Sequence, residues 1–170
     1  MIRAFTFPRA SIPIAAVIQA AMTAMFTMVV MCVAIIAIPP HAFPRVTWAL
    51  LVPIFSLQTI LNLGIMFITA RIGFHLPDFA NILGVFSRFL MYGSGVMFPI
   101  TRFIHDPTAI SIVQLNPLYR IIDMTRTALI DGRVPDAGSW FIVFLWTVAV
   151  LVVGFVFFWR AEESYGRELG

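Results

Sequence analysis

The chain has 170 residues, of which 61% are hydrophobic and 11% are charged, and its mean hydropathy is +0.96. This composition excludes an ordinary soluble domain and favours an integral membrane protein. The net charge is +3, from 11 arginines and 8 acidic residues. The arginines are scattered along the chain, so they do not predict a nucleic-acid-binding surface. Lysine is absent, so the chain cannot contain the GxxxxGK[ST] phosphate-binding loop. If ATP hydrolysis drives this protein, another chain performs it.

No group of side chains predicts a catalytic or metal site. The three histidines fall in predicted loops without partners at metal-ligand spacing. The single Cys32 lies within an apolar run and is expected to be a packing residue. The sequence contains no HExxH motif, no serine with a histidine partner and no paired acids in the apolar runs. We therefore expect a protein that is not an enzyme and binds no metal or cofactor itself.

Four apolar segments predict transmembrane helices, since about 20 residues cross the hydrocarbon core. They are residues 12–38, 46–70, 79–100 and 140–159. Two prolines end the first, and an arginine follows the second and the fourth. The first run is too long for a signal peptide and lacks a cleavage pattern. The predicted fold is an all-α integral membrane protein with four transmembrane helices.

The segment 101–139, between the third and fourth spans, predicts two short helices. Asp106–Pro107 and Asn116–Pro117 each resemble an N-cap followed by proline at the first helical position, and Gly132 suits a helix end. The first helix, 107–115, would measure about 13 Å and cannot cross the membrane. We predict a re-entrant pair of helices in 101–139; a helix lying flat in the interface is the alternative.

The second short helix, 117–131, is predicted to be amphipathic. Its apolar stripe comprises Leu118, Ile121, Ile122, Ala128 and Leu129. Arg120, Asp123 and Arg126 fall on another face within reach of one another, so Asp123 is expected to pair with the arginines.

Arg88 is the strongest single-residue signal, because it lies well inside the third predicted span. A guanidinium there is costly unless it faces a water-filled path, a counter-charge or the interface. Two interpretations stay open: Arg88 lines a polar or anionic conduit, or its side chain reaches to the nearer membrane surface. Gly93 and Gly95 follow it and favour close helix packing over a flexible hinge.

Charge alone does not orient the chain. Four crossings place both termini on one side, and the arginines outside the membrane then divide five and five. The positive-inside rule needs an excess on one side, so an even division favours neither orientation.

Four stretches, read in order, carry a resemblance to a known family. Phe7-Pro8-Arg9 followed by Pro13 is similar to a cytoplasmic FPR…P segment, and Gly64 and Asp78 match a glycine and a following acid. The other two are Ser94-Gly95-Val96-Met97-Phe98, similar to Ser-Pro-Val-x-Tyr, and Leu115-Asn116-Pro117-Leu118 with Arg126, similar to LNP…R. Together they resemble the permease subunits of type-2 ABC exporters, in the polysaccharide branch that exports O-antigen, teichoic acid and galactan. Pro77 and Gly95 depart from the pattern, which has arginine and proline there.

The resemblance covers nearly all of the chain and implies a multi-pass protein of the cytoplasmic membrane. Such permeases have six spans, and the chain resembles their C-terminal two-thirds, beginning at the loop before the third span. The resemblance implies a permease homodimer surrounded by membrane lipid, with ABC ATPase subunits that bind ATP and Mg on the cytoplasmic face. Both termini would be cytoplasmic, including 1–11 and 160–170, and the re-entrant pair would close the outer mouth.

The resemblance also implies roles for particular residues. Residues that would couple the permease to the ATPase are Phe7, Pro8, Arg9, Arg71 and Asp78. Residues of the conduit or gate would be Arg88, Tyr92, Ser94, Asn116, Pro117, Arg120 and Arg126. The expected substrate is a lipid-linked glycan that passes through the dimer interface. A drug or small-lipid ABC exporter permease and a membrane scaffold subunit are the alternatives.

Overall fold

The computed structural model describes residues 10–38, 44–76, 78–93 and 113–165, and their regular elements are all helical. The long helices are α1 (Ser11–Ala37), α2 (Leu51–His75) and α5 (Ala137–Tyr165). The shorter helices are α3 (Phe79–Gly93) and α4 (Pro117–Arg126). A 3-10 turn (Val46–Leu50) leads into α2, and a π-helical turn (Thr127–Asp131) continues α4.

Three helical stretches in the described residues are long and apolar enough to span a membrane. They are Ser11–Ala37, Val46–Gly73 and Ala137–Arg160. This confirms the predicted all-α membrane protein. Within the described part of the chain, helix α3 covers residues 79–93 of the predicted third span. The remainder of that span and residues 107–112 of the first short helix, 107–115, lie outside the described residues.

The helix that contains the predicted second span continues about a turn beyond residue 70, where that span was predicted to end. Helix α2 continues to His75, so Arg71 lies inside the helix and not in a polar loop. The reason lies in α5, because the carbonyl of Phe157 accepts a hydrogen bond from the Arg71 guanidinium. This contact gives the arginine a protein partner at the side of the bundle and lets the helix extend.

Helices α2 and α5 run parallel and touch backbone to backbone. A Cβ placed on Gly64 would lie 2.7 Å from the Leu151 nitrogen, and one on Gly154 would overlap the Gly64 carbonyl. One helical turn beyond Gly64, Phe67 packs against Phe158 with ring centroids 5.3 Å apart. Such close approach is how helices associate in lipid, where apolar surface alone provides no driving force.

The buried core lies where α4 meets the first half of this pair. Ile54 and Leu61 from α2, Ile121 and Met124 from α4, and Val143 from α5 form one buried cluster. Ile121, Ala128 and Leu129 of the predicted apolar stripe are buried, and Leu118 packs against the cluster. Helix α4 therefore sits at the end of the bundle where α2 and α5 begin.

Candidate functional site

The termini of α4 and its π-helical turn are formed by the residues that the sequence predicted. The Asn116 side chain accepts a hydrogen bond from the Leu118 backbone N–H at 3.0 Å, and Pro117 occupies the first turn. Gly132 ends the π-helical turn with φ of 63°, a left-handed conformation that favours glycine. These two signals confirm the predicted helix over 117–131, although its last five residues are π-helical.

A chain of hydrogen bonds ties α4 to the first turn of α5. Arg120 donates from Nη1 to the Ser139 hydroxyl at 2.8 Å and from Nε to the Gln114 carbonyl at 2.7 Å. The buried Ser139 hydroxyl donates in turn to Asp136 at 2.6 Å. Arg120 thus bonds Gln114 and Ser139 in place of the predicted partner Asp123, because α5 brings a hydroxyl and a carboxylate to its guanidinium.

Asp136 is the N-cap of α5. Its second carboxylate oxygen accepts the Ser139 backbone N–H at 2.8 Å, which satisfies a donor that the helix start leaves free. The hydrogen bonds from the Ser139 side chain and backbone hold the pKa of Asp136 below its usual value, and the nearby Arg120 charge acts in the same direction. The carboxylate is therefore held in its charged form.

The π-helical turn is tied to the other side of the site, the approach to α2. The Thr47 hydroxyl donates to the Ala128 carbonyl at 2.9 Å, and Arg45 donates to the Asp131 carbonyl at 3.2 Å. A Cβ on Gly132 would overlap the Arg45 guanidinium. Arg45, Thr47, Arg120, Asp136 and Ser139 are called the end cluster below, because together they fasten α4 to α2 and α5 at one end of the bundle.

Two predicted coupling residues lie towards the opposite end of α2 from the end cluster. Arg71 donates to the Phe157 carbonyl and its guanidinium carbon lies 4.0 Å from the centre of the Phe157 ring. Asp78 directly precedes α3, and its carbonyl accepts a hydrogen bond from the Asn81 N–H at 3.1 Å. Arg71 lies about 30 Å along α2 from its first residue, whereas Arg120 bonds Ser139 in the first turn of α5.

The other predicted site residues lie on α3 and α4 or outside the described residues. Arg88 is exposed on α3, and Arg126 is half-buried in the last turn of α4. Tyr92 lies in the last turn of α3, with a side chain outside the described set. Phe7, Pro8, Arg9 and Ser94 lie outside the described residues. The conduit and coupling roles of all these residues stay predictions.

A groove of about 670 Å³ between α1, α2 and α4 was not predicted from the sequence. Its polar lining consists of Gln19, Thr23 and Thr27 on α1, Gln58 on α2 and Thr125 on α4. The signal was readable, because Gln19, Thr23 and Thr27 recur every four residues in an otherwise apolar span and must share a helix face. No charged side chain is among the lining residues.

The comparisons with known proteins give a distant relationship. No family model and no solved structure matches the chain. Two curated relatives, both the polysialic acid transport protein KpsM of Escherichia coli, are each 25% identical over 118 residues. The matched segment is 69% of this chain and 42% of each relative, so the chain spans less than half the length of these relatives. This homology supports the resemblance to type-2 ABC exporter permeases.

Proposed function

We propose that the chain is a transmembrane permease subunit of an ABC transporter that exports a lipid-linked polysaccharide across the cytoplasmic membrane. The observation that carries the proposal is the 118-residue similarity to a protein named for polysialic acid transport. It occurs in a chain whose described part includes three helices of membrane-spanning length. ATP and Mg would be bound by a partner ATPase subunit, and the permease would work as a homodimer.

The geometry supports four crossings with a re-entrant helix. Helix α2 ends at His75 towards one end of the bundle, whereas α4 packs against the beginnings of α2 and α5 at the other end. The chain between His75 and Pro117 must therefore travel the thickness of the bundle. Helix α3, with its 15 residues, is about 22 Å long and could cover part of that distance. In this topology α4 returns to the core from the outer side, and the end cluster fastens the outer gate.

The arrangement of the two ends supports the division between coupling and gating residues. Arg71 and Asp78 lie close to the connection from α2 to α3. An ATPase on the cytoplasmic side would contact the permease there. Phe7, Pro8 and Arg9 complete this coupling group in the proposal. Arg88, Tyr92, Ser94 and Arg126 would contact the passing glycan, together with Asn116, Pro117 and Arg120 at the gate.

A complementation assay tests the proposal. Deletion of the gene should remove a glycan from the cell surface, and the intact gene should restore it. The variant Arg9→Glu should insert into the membrane yet fail to restore export, because it reverses the charge in the segment expected to contact the ATPase. Arg3→Glu, a charge reversal in the same segment outside the FPR stretch, is the matched control.

Three results would contradict the proposal. A surface glycan unchanged by deletion would exclude polysaccharide export, and a permease that co-purifies with no ATPase would exclude the ABC mechanism. Full export by Arg9→Glu would remove the coupling role of the N-terminal segment.

A further inference from the structure

The π-helical turn after α4 gives one backbone carbonyl a side-chain partner in place of its helical one. In an α-helix the Gly132 N–H would bond to the Ala128 carbonyl, four residues back. Here it bonds to the Thr127 carbonyl, five residues back. The Ala128 carbonyl instead accepts a hydrogen bond from the Thr47 hydroxyl at 2.9 Å.

The bond from Thr47 is therefore specific to the π register. Ala128 has no exposed surface, so water cannot satisfy its carbonyl, and a buried carbonyl without a partner is unfavourable. In an α register the Gly132 N–H would serve the Ala128 carbonyl, and the Thr127 carbonyl would accept from the Asp131 N–H. Both registers thus pair both carbonyls, but only the π register needs the hydroxyl of Thr47.

Arg45 holds the same turn without this selectivity. Its guanidinium donates to the Asp131 carbonyl at 3.2 Å. That carbonyl belongs to the last turn of the helix and has no helical partner in either register. Arg45 therefore fastens the turn, whereas Thr47 determines which carbonyl the Gly132 N–H can reach.

The segment that carries Thr47 also contains an unpaired donor. Within the part of the chain that the structure describes, the indole N–H of Trp48 is buried without a hydrogen-bond partner. Trp48 belongs to the 3-10 turn Val46–Leu50, which packs against the π-helical turn. An unpaired buried donor raises the free energy of the arrangement that contains it. The present arrangement is thus incompletely paired, which keeps a second arrangement within reach.

We propose that the π-helical turn is a two-state element whose register is set by the Thr47 hydroxyl. While that hydroxyl bonds the Ala128 carbonyl, the turn holds one residue more than an α-helical turn. When the Gly132 N–H takes over this carbonyl, the extra residue passes into the segment between Gly132 and Asp136, which leads to α5. One residue of extended chain adds about 3.5 Å to that segment, so α4 can shift relative to α5.

The element connects the two sides of α4. Thr47 lies on the approach to α2, whereas Arg120 joins α4 to Ser139 in the first turn of α5. A movement of the approach to α2 that withdraws the hydroxyl would therefore lengthen the connection to α5. The change of register is a property of the fold, and its use to open an outer gate rests on the proposed function.

Solid-state NMR of the whole chain in lipid bilayers measures the register. Carbonyl-¹³C threonine and ¹⁵N-glycine labels report the Thr127–Gly132 pair, whose labelled nuclei lie about 4 Å apart when they are hydrogen-bonded. Carbonyl-¹³C alanine in place of the threonine label reports the Ala128–Gly132 pair of the α register. Gly73 follows Thr69 by four residues within α2, so this pair gives the reference signal of an α-helix in every variant.

Thr47→Val removes the hydroxyl and is the main test. We expect the Thr127–Gly132 signal to fall about fivefold or more, because the π register would leave the buried Ala128 carbonyl unpaired. The Ala128–Gly132 signal should appear in its place, and Thr47→Ala should act in the same way. Thr47→Ser keeps the hydroxyl and should keep the wild-type signals.

Two further variants serve as controls and should both retain the π register. Thr59→Val is the matched control, because the Thr59 hydroxyl bonds the Phe55 carbonyl within its own helix. Arg45→Ala removes the other contact to the turn, the bond to the Asp131 carbonyl, which does not depend on the register.

Three results would overturn the inference. Unchanged signals in Thr47→Val would show that the hydroxyl does not hold the register, and an equal change in Arg45→Ala would show that any loosened contact has the same effect. Loss of the π signal without the α signal would show a frayed turn in place of a second helical state. The readout does not depend on export. An unchanged register with intact complementation removes this inference alone, whereas a changed register without any glycan phenotype on deletion removes the proposed function alone.

Discussion

Helices α2 and α5 form a closely packed pair, whereas the most apolar stretch of α1 has no buried residue and the described side chains of α3 are half-buried or exposed. In the pair, Gly64 and Gly154 bring the two backbones into contact. On α1 and α3, by contrast, Met22 and Phe89 are each 71% exposed. All three long helices are apolar enough to span a membrane, so hydrophobicity does not decide which of them pack together. Small residues and directed polar contacts decide it.

The variant with the largest expected effect places a bulky side chain at the glycine contact between α2 and α5. Gly64→Leu places a side chain where the Leu151 backbone already lies, so α2 and α5 must separate. We expect a loss of about 1–3 kcal/mol or more in the free energy of unfolding, the usual cost of overpacking. Unfolding in mild detergent, followed by circular dichroism, measures the change.

Gly84→Leu on α3 is the matched control, because a Cβ at Gly84 meets no atom within 4 Å. Leucine also favours the helical state over glycine by about 0.8 kcal/mol, so this variant should be as stable as the wild type or slightly more so. Equal stability of the two leucine variants would show that the glycine contact does not hold the pair together.

A second test compares an arginine that has a partner with one that is exposed. Arg71→Ala removes the bond to the Phe157 carbonyl and the contact with its ring. We expect a destabilisation of about 1–2 kcal/mol, which is less than the full sum of a charged hydrogen bond and a cation–π contact because the hydrogen bond is exposed. Arg88→Ala on the exposed face of α3 should leave the unfolding midpoint nearly unchanged. Equal shifts for the two variants would contradict the role of Arg71 in joining α2 to α5.

The comparison also separates what the sequence predicts from what it does not. Apolar runs and terminal signals such as Asn116–Pro117 and Gly132 are local, so the helices α1, α2, α4 and α5 could be predicted to within a few residues. The contact of Gly64 with Gly154 is not local, and nothing around Gly154 distinguishes it from any other glycine in an apolar run. The family pattern marks Gly64 without giving its partner.

The polar contacts show the same limit. The sequence predicts that Arg71 follows a span, because its hydrogen-bond partner lies 86 residues away and leaves no local signal. It predicts a pair between Arg120 and Asp123, because helix spacing is the only information that the sequence gives about their contacts. The structure supplies Ser139 and Asp136 from α5 instead. The polar face of α1 is a different case, because the four-residue spacing of its polar residues is enough to predict from the sequence that they share one face of the helix.

The smallest expected effect concerns the end cluster and its dependence on pH. Because the hydrogen bonds from Ser139 lower the pKa of Asp136 in the folded state, the carboxylate stabilises the fold above its unfolded pKa of about 3.9. That contribution is lost as the pH falls through the lower, folded pKa. Asp136→Asn keeps a capping oxygen but cannot titrate. The gap in melting temperature between wild type and this variant should therefore be small and constant near neutral pH.

On acidification, this gap should begin to close as the pH falls below about 4, where the carboxyl of the unfolded chain takes up its proton, and should close further as the pH falls through the lower, folded pKa. A double-mutant cycle gives the control, because Ser139→Ala removes the hydroxyl that bonds Asp136. In that background the effect of Asp136→Asn should be smaller and should vary less with pH. A gap that persists unchanged to about pH 3 would mean that the carboxylate of Asp136 contributes nothing as a charge. The tie between α4 and α5 would then rest on Arg120 and the packing of the core alone.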